Sequence, residues 1–415
     1  MAHSVPATVF WICGLLLAVV AIEHYTRRTA IPPVCWVLVA GMTYGLLRTH
    51  ATLPLPALHV GPHVVLFVFL PLLIFDSSRR LHVRELGSVL PEAGFLALVG
   101  PLAGMFLLGW PLSVVGGLPL PDALLFGAVL SATDPVAVSA IFQSFPVPER
   151  LHTIIEGESL LNDGITVLLF TTLAGTVIGE TVLSVPSTVA HFAASVSGAV
   201  ALGIAFGALG SLIMKSWHDL HDRFIGSLMP LITVYAAFAV AEHILHISGV
   251  LAVMAAALTL ASLHIHRKHS SAPRQADRFF DDFWGFLSHL ANAVLFFILG
   301  ERMGEHAYRL SWYLIPLMIG ALIASRAVIV YCGAGLFRIL HARFPASWRH
   351  VLTMGGLRGA LSIALLLTLP DDYRYRHLFL CLAFALVLFT VIVNTLALRG
   401  YLSKVSVEDP TESSA

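Results

Sequence analysis

Charge is what this sequence has least of. Asp, Glu, Lys and Arg make up 12% of its 415 residues and cancel to a formal net charge of zero, against 57% hydrophobic residues. A soluble chain of this length needs far more polar surface, so the composition is that of a polytopic membrane protein. With no basic excess there is no electrostatic footprint for nucleic acid. Cysteine is scarce as well. Cys13, Cys35, Cys332 and Cys381 all lie in apolar runs, which reads as small core residues and excludes a disulfide or zinc framework. Lys and Arg are missing from MAHSVPATVF, so a cleaved signal peptide is not expected and the first span is read as retained. Polar stretches are short. The longest interruption is 264–282, HIHRKHSSAPRQADRFFDD, and the tail after Lys404 is brief and acidic. No folded regulatory domain is expected in that tail.

What is present is a series of apolar runs, each about 20 residues long, the length a bilayer-crossing helix needs. Thirteen are read: 7–22, 31–48, 59–76, 88–110, 121–142, 153–178, 187–213, 225–243, 246–264, 283–300, 311–337, 350–369 and 376–398. Seventeen of the 24 Lys and Arg residues fall in one set of alternate loops and five in the other. By the positive-inside rule the richer set is cytoplasmic, which puts the N-terminus outside and the C-terminus inside. The last two basic residues, Arg326 and Arg358, lie within spans.

The chain is organised around residues 131–164, SATDPVAVSAIFQSFPVPERLHTIIEGESLLNDG. Asp163 sits about ten residues into its span and Asp134 about twelve into its own, so both fall near the bilayer midplane. Carboxylates at that depth are costly and mark ion or proton paths. Pro135 removes a backbone donor, so the helix is expected to open around Thr133 and Asp134, freeing carbonyls for a cation beside Asp163. In the second half, Gly355, Gly356 and Gly359 interrupt the span 350–369. Interrupted segments at matching positions in two halves are the mark of an inverted repeat with broken crossing helices.

On the helix carrying 156–163, Ser159 lies about 40° and Glu156 about 20° from Asp163, whereas Glu158 lies about 140° away. Ser159 and Asp163 can therefore address one ion, with Glu156 nearer the cytoplasm as an entry-funnel charge or a favourable helix N-terminal charge. Glu158 needs another partner, and Arg326, at similar depth, is expected to supply it as a buried ion pair. Arg358, after the Gly pair in GGLRGALS, complements the negative ends of helix fragments and the carboxylates. Desolvation favours the neutral acid, so Asp163 holds a proton until a cation displaces it. With Asn162 in place of a second carboxylate, one titratable group suits exchange of one proton for one monovalent cation. No filter loop of a channel is apparent. Ser159 lacks a helical His base and no HExxH is present, which argues against an intramembrane hydrolase. Among weaker signals, His218, His221, His264, His266 and His269 read as solvated loop residues in place of a metal set. Asp76 and Glu242 read as snorkelling charges near span ends.

The runs SATDP, EGESLLND and GGLRGALS, with an Arg in the preceding span, resemble the monovalent cation/proton antiporter superfamily. The pair Asn162–Asp163 resembles its Na+/H+ exchanger branch with an Asn-Asp motif, the prokaryotic NhaP-type antiporters. The resemblance implies an all-α NhaA-like antiporter fold and alternating-access exchange of cytoplasmic Na+ (or Li+) for H+, electroneutral at 1:1. That exchange serves pH and sodium homeostasis in the cell (inner) membrane, with K+/H+ exchange as the alternative. It implies Na+ coordination by Asp134, Asp163, Ser159 and the Thr133 backbone oxygen, with Asn162 in support and Glu158–Arg326 as a structural pair. Where relatives carry Glu at the end of the third span this chain has Asp76, a possible gate. No cofactor is implied beyond the transported ions. A homodimer is implied, its scaffold formed by residues 1–86 and 216–305 and its ion-translocating core by 87–180 and 306–400. Residues 181–215 form the linker helix and 401–415 a short cytoplasmic tail.

Overall fold

The computed structural model describes residues 5–26, 29, 32–50, 64–81, 83–142, 144–179, 185–216, 223–265, 275–306, 312–339 and 344–407. Among them every regular element is helical, and each of the thirteen apolar runs lies on a helix or a broken pair of helices. The start of the third run, 59–63, and His218, His221, His266 and His269 lie outside the described residues.

The elements are α1 (Val5–Thr26), α2 (Pro33–His50), α3 (Leu70–Arg80, entered through a π-turn at Val65–Phe69), α4 (Val83–Gly116), α5 (Leu120–Val129) and α6 (Val136–Phe142). Then come α7 (Glu149–Val177), α8 (Val185–Ser216), α9 (Arg223–Ala239, followed by a π-turn at Val240–Ile244), α10 (Gly249–Ile265) and α11 (Gln275–His306). Last are α12 (Leu314–Ile339), α13 (Ala346–Met354), α14 (Ala360–Thr368), α15 (Arg376–Phe389, then a π-turn at Thr390–Asn394) and α16 (Thr395–Leu402). Six of these segments are long and apolar enough to cross a membrane as single helices, among the described residues.

Two neighbourhoods organise the packing. The long helix α4 contacts α5, α7 and α12, and a second group joins α2 to α11 and α10 to α3, α8 and α9. In a bilayer no hydrophobic force draws helices together, so close approach through small residues does much of that work. The α2–α11 contact shows it. Gly41 and Gly45 face Gly300 and Gly304, and a Cβ at any of the four would run into backbone of the opposite helix. We expect Gly45→Ala to push the helices apart and lower stability by ~1–3 kcal/mol. Gly335→Ala, where nothing lies within 4 Å of the added carbon, is the control. Thermal melting of the two variants in detergent checks this, and equal melting would refute it.

Two readings are corrected here and a third is extended. Cys13 and Cys332 are exposed, and only Cys35 and Cys381 are buried; in a membrane protein an apolar outer face is as good a home for a thiol as the core. The polar stretch 264–282 is not all loop. Helix α11 begins at Gln275, and Arg79 of α3 pairs with Asp281 at 2.5 Å, tying down helical turns that apolar content alone does not reveal. The predicted opening around Thr133 and Asp134 is present and reaches back to Leu130. Ser131 Oγ donates to the Gly127 carbonyl at 2.7 Å, and its N–H reaches only three residues back, to Ala128 at 3.0 Å, as α5 closes. Pro135 stands ahead of the first residue of α6, where its missing N–H would have had no helical partner.

Candidate ion-binding site

Four half-helices meet at the site. Residues 130–135 separate α5 from α6, and residues 355–359 separate α13 from α14. The two extended stretches touch through their backbones, the Asp134 N–H donating to the Leu357 carbonyl at 2.9 Å. The glycines of GGLRG allow this approach: a Cβ on Gly359 would collide with the Asp134 side chain, and one on Gly356 would come within 2.8 Å of Arg326 Nε.

Unwinding frees backbone carbonyls in the interior, and each needs a donor. Arg358 Nη1 donates to the Ala132 carbonyl at 3.0 Å and to Ser131 at 3.3 Å. Ser362 Oγ donates to Val129 at 2.9 Å. The guanidinium therefore sits on the negative end of α5, where a cation is stabilising. Its own backbone N–H is held by Thr390 Oγ1 at 3.2 Å, in the π-turn after α15.

Helix α7 supplies the other wall. Ser159 Oγ donates to the Thr133 carbonyl at 2.5 Å. Asn162 Nδ2 donates to the Ser131 carbonyl at 3.0 Å and to Thr133 Oγ1 at 3.3 Å, while its Oδ1 accepts from Thr166 at 2.9 Å. Both ends of the amide are thus used in holding the break against α7. Asp163 differs: its Oδ1 is buried and accepts no hydrogen bond among the described residues, and it is close enough to Asp134 for the charges to repel. An orphaned carboxylate oxygen beside a second carboxylate, a hydroxyl and backbone carbonyls is a donor set of hard oxygens, the chemistry that suits a monovalent alkali cation.

Glu158 points elsewhere. It lies 1% exposed and is clasped by Arg326 of α12 through both carboxylate oxygens, with Oε2 accepting from Nη2 at 2.8 Å. Arg326 Nε also donates to the Leu352 carbonyl at 3.0 Å, so one guanidinium joins α7, α12 and α13. A cavity with room for about one water (about 10 Å³) lies behind the crossing, lined by Ser131, Asn162, Ser325, Arg326 and Arg358. Glu156 stands on the Ser159 side of α7, half-buried, its Oε1 accepting from Ser139 of α6 at 3.1 Å and 3.1 Å from His152 Nε2.

Asp76 is not a snorkelling charge. It is 6% exposed and accepts from Arg79 Nη2 at 2.7 Å, because α3 is packed on α10 and α11 and the compensating cation comes from the next turn of the same helix. Glu242 is half-buried and accepts the Gly249 N–H at 3.0 Å, holding the start of α10 instead of reaching for the interface.

Several charged groups were not singled out by sequence reasoning. Glu92 lies inside the predicted run 88–110 and is buried against Arg150 at 2.6 Å; its depth alone was the signal. Glu301 and Glu305 of α11 pair with Arg48 of α2 at 3.0 and 2.7 Å. They stand just past a predicted span end, where nothing marks a Glu as buried. Tyr373 donates to Asp122 at 2.6 Å, which depends on long-range folding.

Comparison with known proteins fits this geometry. Residues 14–404 match the family model described as sodium/hydrogen exchanger, transmembrane. The chain is 32% identical over 352 residues to the Na(+)/H(+) antiporter ApNhaP of Aphanothece halophytica, covering 83% of this chain but 65% of that protein's length. It is 30% identical to the Na(+)/H(+) antiporter NhaH of Halobacillus aidingensis, covering 97% of this chain and 98% of that one. In three dimensions it resembles the sodium proton antiporter MjNhaP1 from Methanocaldococcus jannaschii at pH 8, with a TM-score of 0.77 at 16% identity over 95% of this chain and 98% of that one. An all-helical membrane chain with two broken helices crossing at paired carboxylates, matched over nearly its whole length, belongs to the sodium/hydrogen exchanger family.

Proposed function

We propose that this protein exchanges Na+ (or Li+) for H+ across the cell membrane by alternating access, one for one, in the service of pH and sodium homeostasis. The buried Asp163 Oδ1 that accepts no hydrogen bond among the described residues carries the reading. A carboxylate in that setting must hold either a proton or a cation, and the two compete for it. Asp134, Ser159 and the Thr133 carbonyl complete the cation's shell. Asn162 braces the break without adding a second titratable group, and Arg358 offsets the charge that remains. Either loaded form carries less excess charge than the empty ionised site, so each crosses between inward and outward states more easily. The names of the two relatives compared above, both Na(+)/H(+) antiporters, support Na+ as the cation.

The moving part in this reading is the group around α4–α7 and α12–α16, sliding against a dimeric scaffold of α1–α3 and α9–α11, with α8 as the linker. Glu156 lies on the cytoplasmic approach, and the Asp76–Arg79 pair restrains the scaffold side of that approach. The N-terminus faces outward and the C-terminus the cytoplasm, following the charge bias.

The test is purified protein in liposomes with an imposed pH gradient and an entrapped pH dye. Added Na+ or Li+ is expected to dissipate the gradient at a rate that a clamped membrane potential leaves unchanged. Gradient collapse with K+ alone would replace Na+ by K+, and a rate that follows the potential would exclude one-for-one exchange.

A further inference from the structure

Most arginines inside this molecule are matched to an acid, Arg358 being held by backbone carbonyls instead. Arg48, Arg79, Arg150, Arg302, Arg326 and Arg376 each sit on a carboxylate. At the end of the molecule where α12 finishes and α13 begins, that rule lapses. Arg338, Arg349 and Arg399 form no salt bridge among the described residues, although α13 contacts both α12 and α16.

Arg349 is held against an aromatic ring, and the other two stand on helices that α13 contacts. The Arg349 guanidinium lies 5.3 Å from the centre of the Tyr331 ring, and Tyr331 is itself 42% exposed on the apolar face of α12. Arg349 Nε is buried and has no hydrogen-bond partner among the described residues. Next to it His350 Nδ1 lies 3.2 Å from the Tyr401 hydroxyl. Arg399 stands in the same final turn as Tyr401. Arg338 follows Phe337, whose ring stacks at 5.6 Å on Phe344, just ahead of α13. Among the described residues the result is three arginines without an acid partner, one of them over a ring exposed on the outer face of α12.

We infer that this patch binds the phosphate of an anionic phospholipid headgroup, with Arg349 over Tyr331 as its anchor and Arg338 and Arg399 at its rim. A phosphodiester supplies the acceptor oxygens that the guanidinium groups lack, and its acyl chains continue along the exposed face of α12. The occupant is a lipid and not a soluble anion because the anchor ring belongs to a membrane-crossing helix. The position also has a consequence. Helix α13 runs directly into the unwound residues 355–359, so a headgroup held at its start fixes the depth of one half of the crossing pair.

The experiment is thermal melting of the full chain in neutral detergent, with phosphatidylglycerol, phosphatidylcholine or inorganic phosphate added. Phosphatidylglycerol is expected to raise the melting temperature above the phosphatidylcholine value by on the order of 2–4 °C. Arg349→Gln should abolish that difference. Arg338→Gln with Arg399→Gln, two exposed positions whose loss leaves the fold intact, should reduce it by at least half. A phosphatidylglycerol response in the rim double variant equal to that of the unaltered protein would overturn the inference. So would an equal shift from inorganic phosphate, which would make the site one for a free anion.

Discussion

Asp163→Asn is expected to reduce cation-driven proton movement in liposomes to the level of protein-free vesicles, while the purified variant melts at the same temperature as the unaltered protein or higher. The two halves of this expectation have separate causes. Asparagine keeps the size and one acceptor of the side chain but cannot take up or release a proton, so a cation that binds displaces nothing and coupling ends. Stability moves the other way. In the unaltered protein a carboxylate oxygen is buried with no hydrogen bond to it among the described residues, beside a second carboxylate, and a neutral amide removes that repulsion and much of the desolvation penalty. Asp134→Asn tests the neighbouring group. It leaves Asp163 to carry the proton, so transport should weaken through poorer cation binding, seen as a rise in the Na+ concentration for half-maximal rate. Competition for one carboxylate also fixes a sign: that concentration should fall as pH rises. A variant at Asp163 that still couples would remove the central assumption.

How much of this was legible beforehand varies by kind of feature. Among the described residues every apolar run falls on a helix or a broken pair of helices, because a bilayer imposes one length and one polarity on what crosses it. The break at Pro135 and the glycines of GGLRGALS were readable for a similar reason, since few residues permit an interior backbone to leave the helix. Angular arithmetic on α7 separated Glu158 from Ser159 and Asp163, and in the structure Glu158 faces Arg326 while Ser159 meets the Thr133 carbonyl. What stayed hidden were residues whose burial depends on a distant helix. Asp76, Glu301 and Glu305 sit at span ends, where exposure is the ordinary outcome, and only the packing of α3 and α2 against α10 and α11 encloses them. The amide of Asn162 is a further case. Its place in the sequence showed a missing charge, whereas its contacts to Ser131, Thr133 and Thr166 show a brace.

Breaking the Glu158–Arg326 pair should be the most damaging single change outside the carboxylate pair, and its pH dependence separates the two partners. Removing one member of a buried pair typically costs about 3–5 kcal/mol, because the other charge is left without compensation in the interior. Glu158→Gln strands a guanidinium that cannot shed its proton, so its loss of stability should be nearly independent of pH. Arg326→Gln strands a carboxylate, which a proton can neutralise. Its deficit should therefore be largest at high pH and shrink as the solution is acidified. Arg326 also holds the Leu352 carbonyl, so even at low pH some deficit should remain. Replacing both members with apolar residues of similar length, Glu158→Met with Arg326→Met, should recover part of what either single change loses. Melting curves across pH for the four proteins decide the matter. If the single variants melt alike at every pH, the pair is not what joins α7 to α12. If the double variant is sound yet transports slowly, the pair serves the movement of the core more than its cohesion.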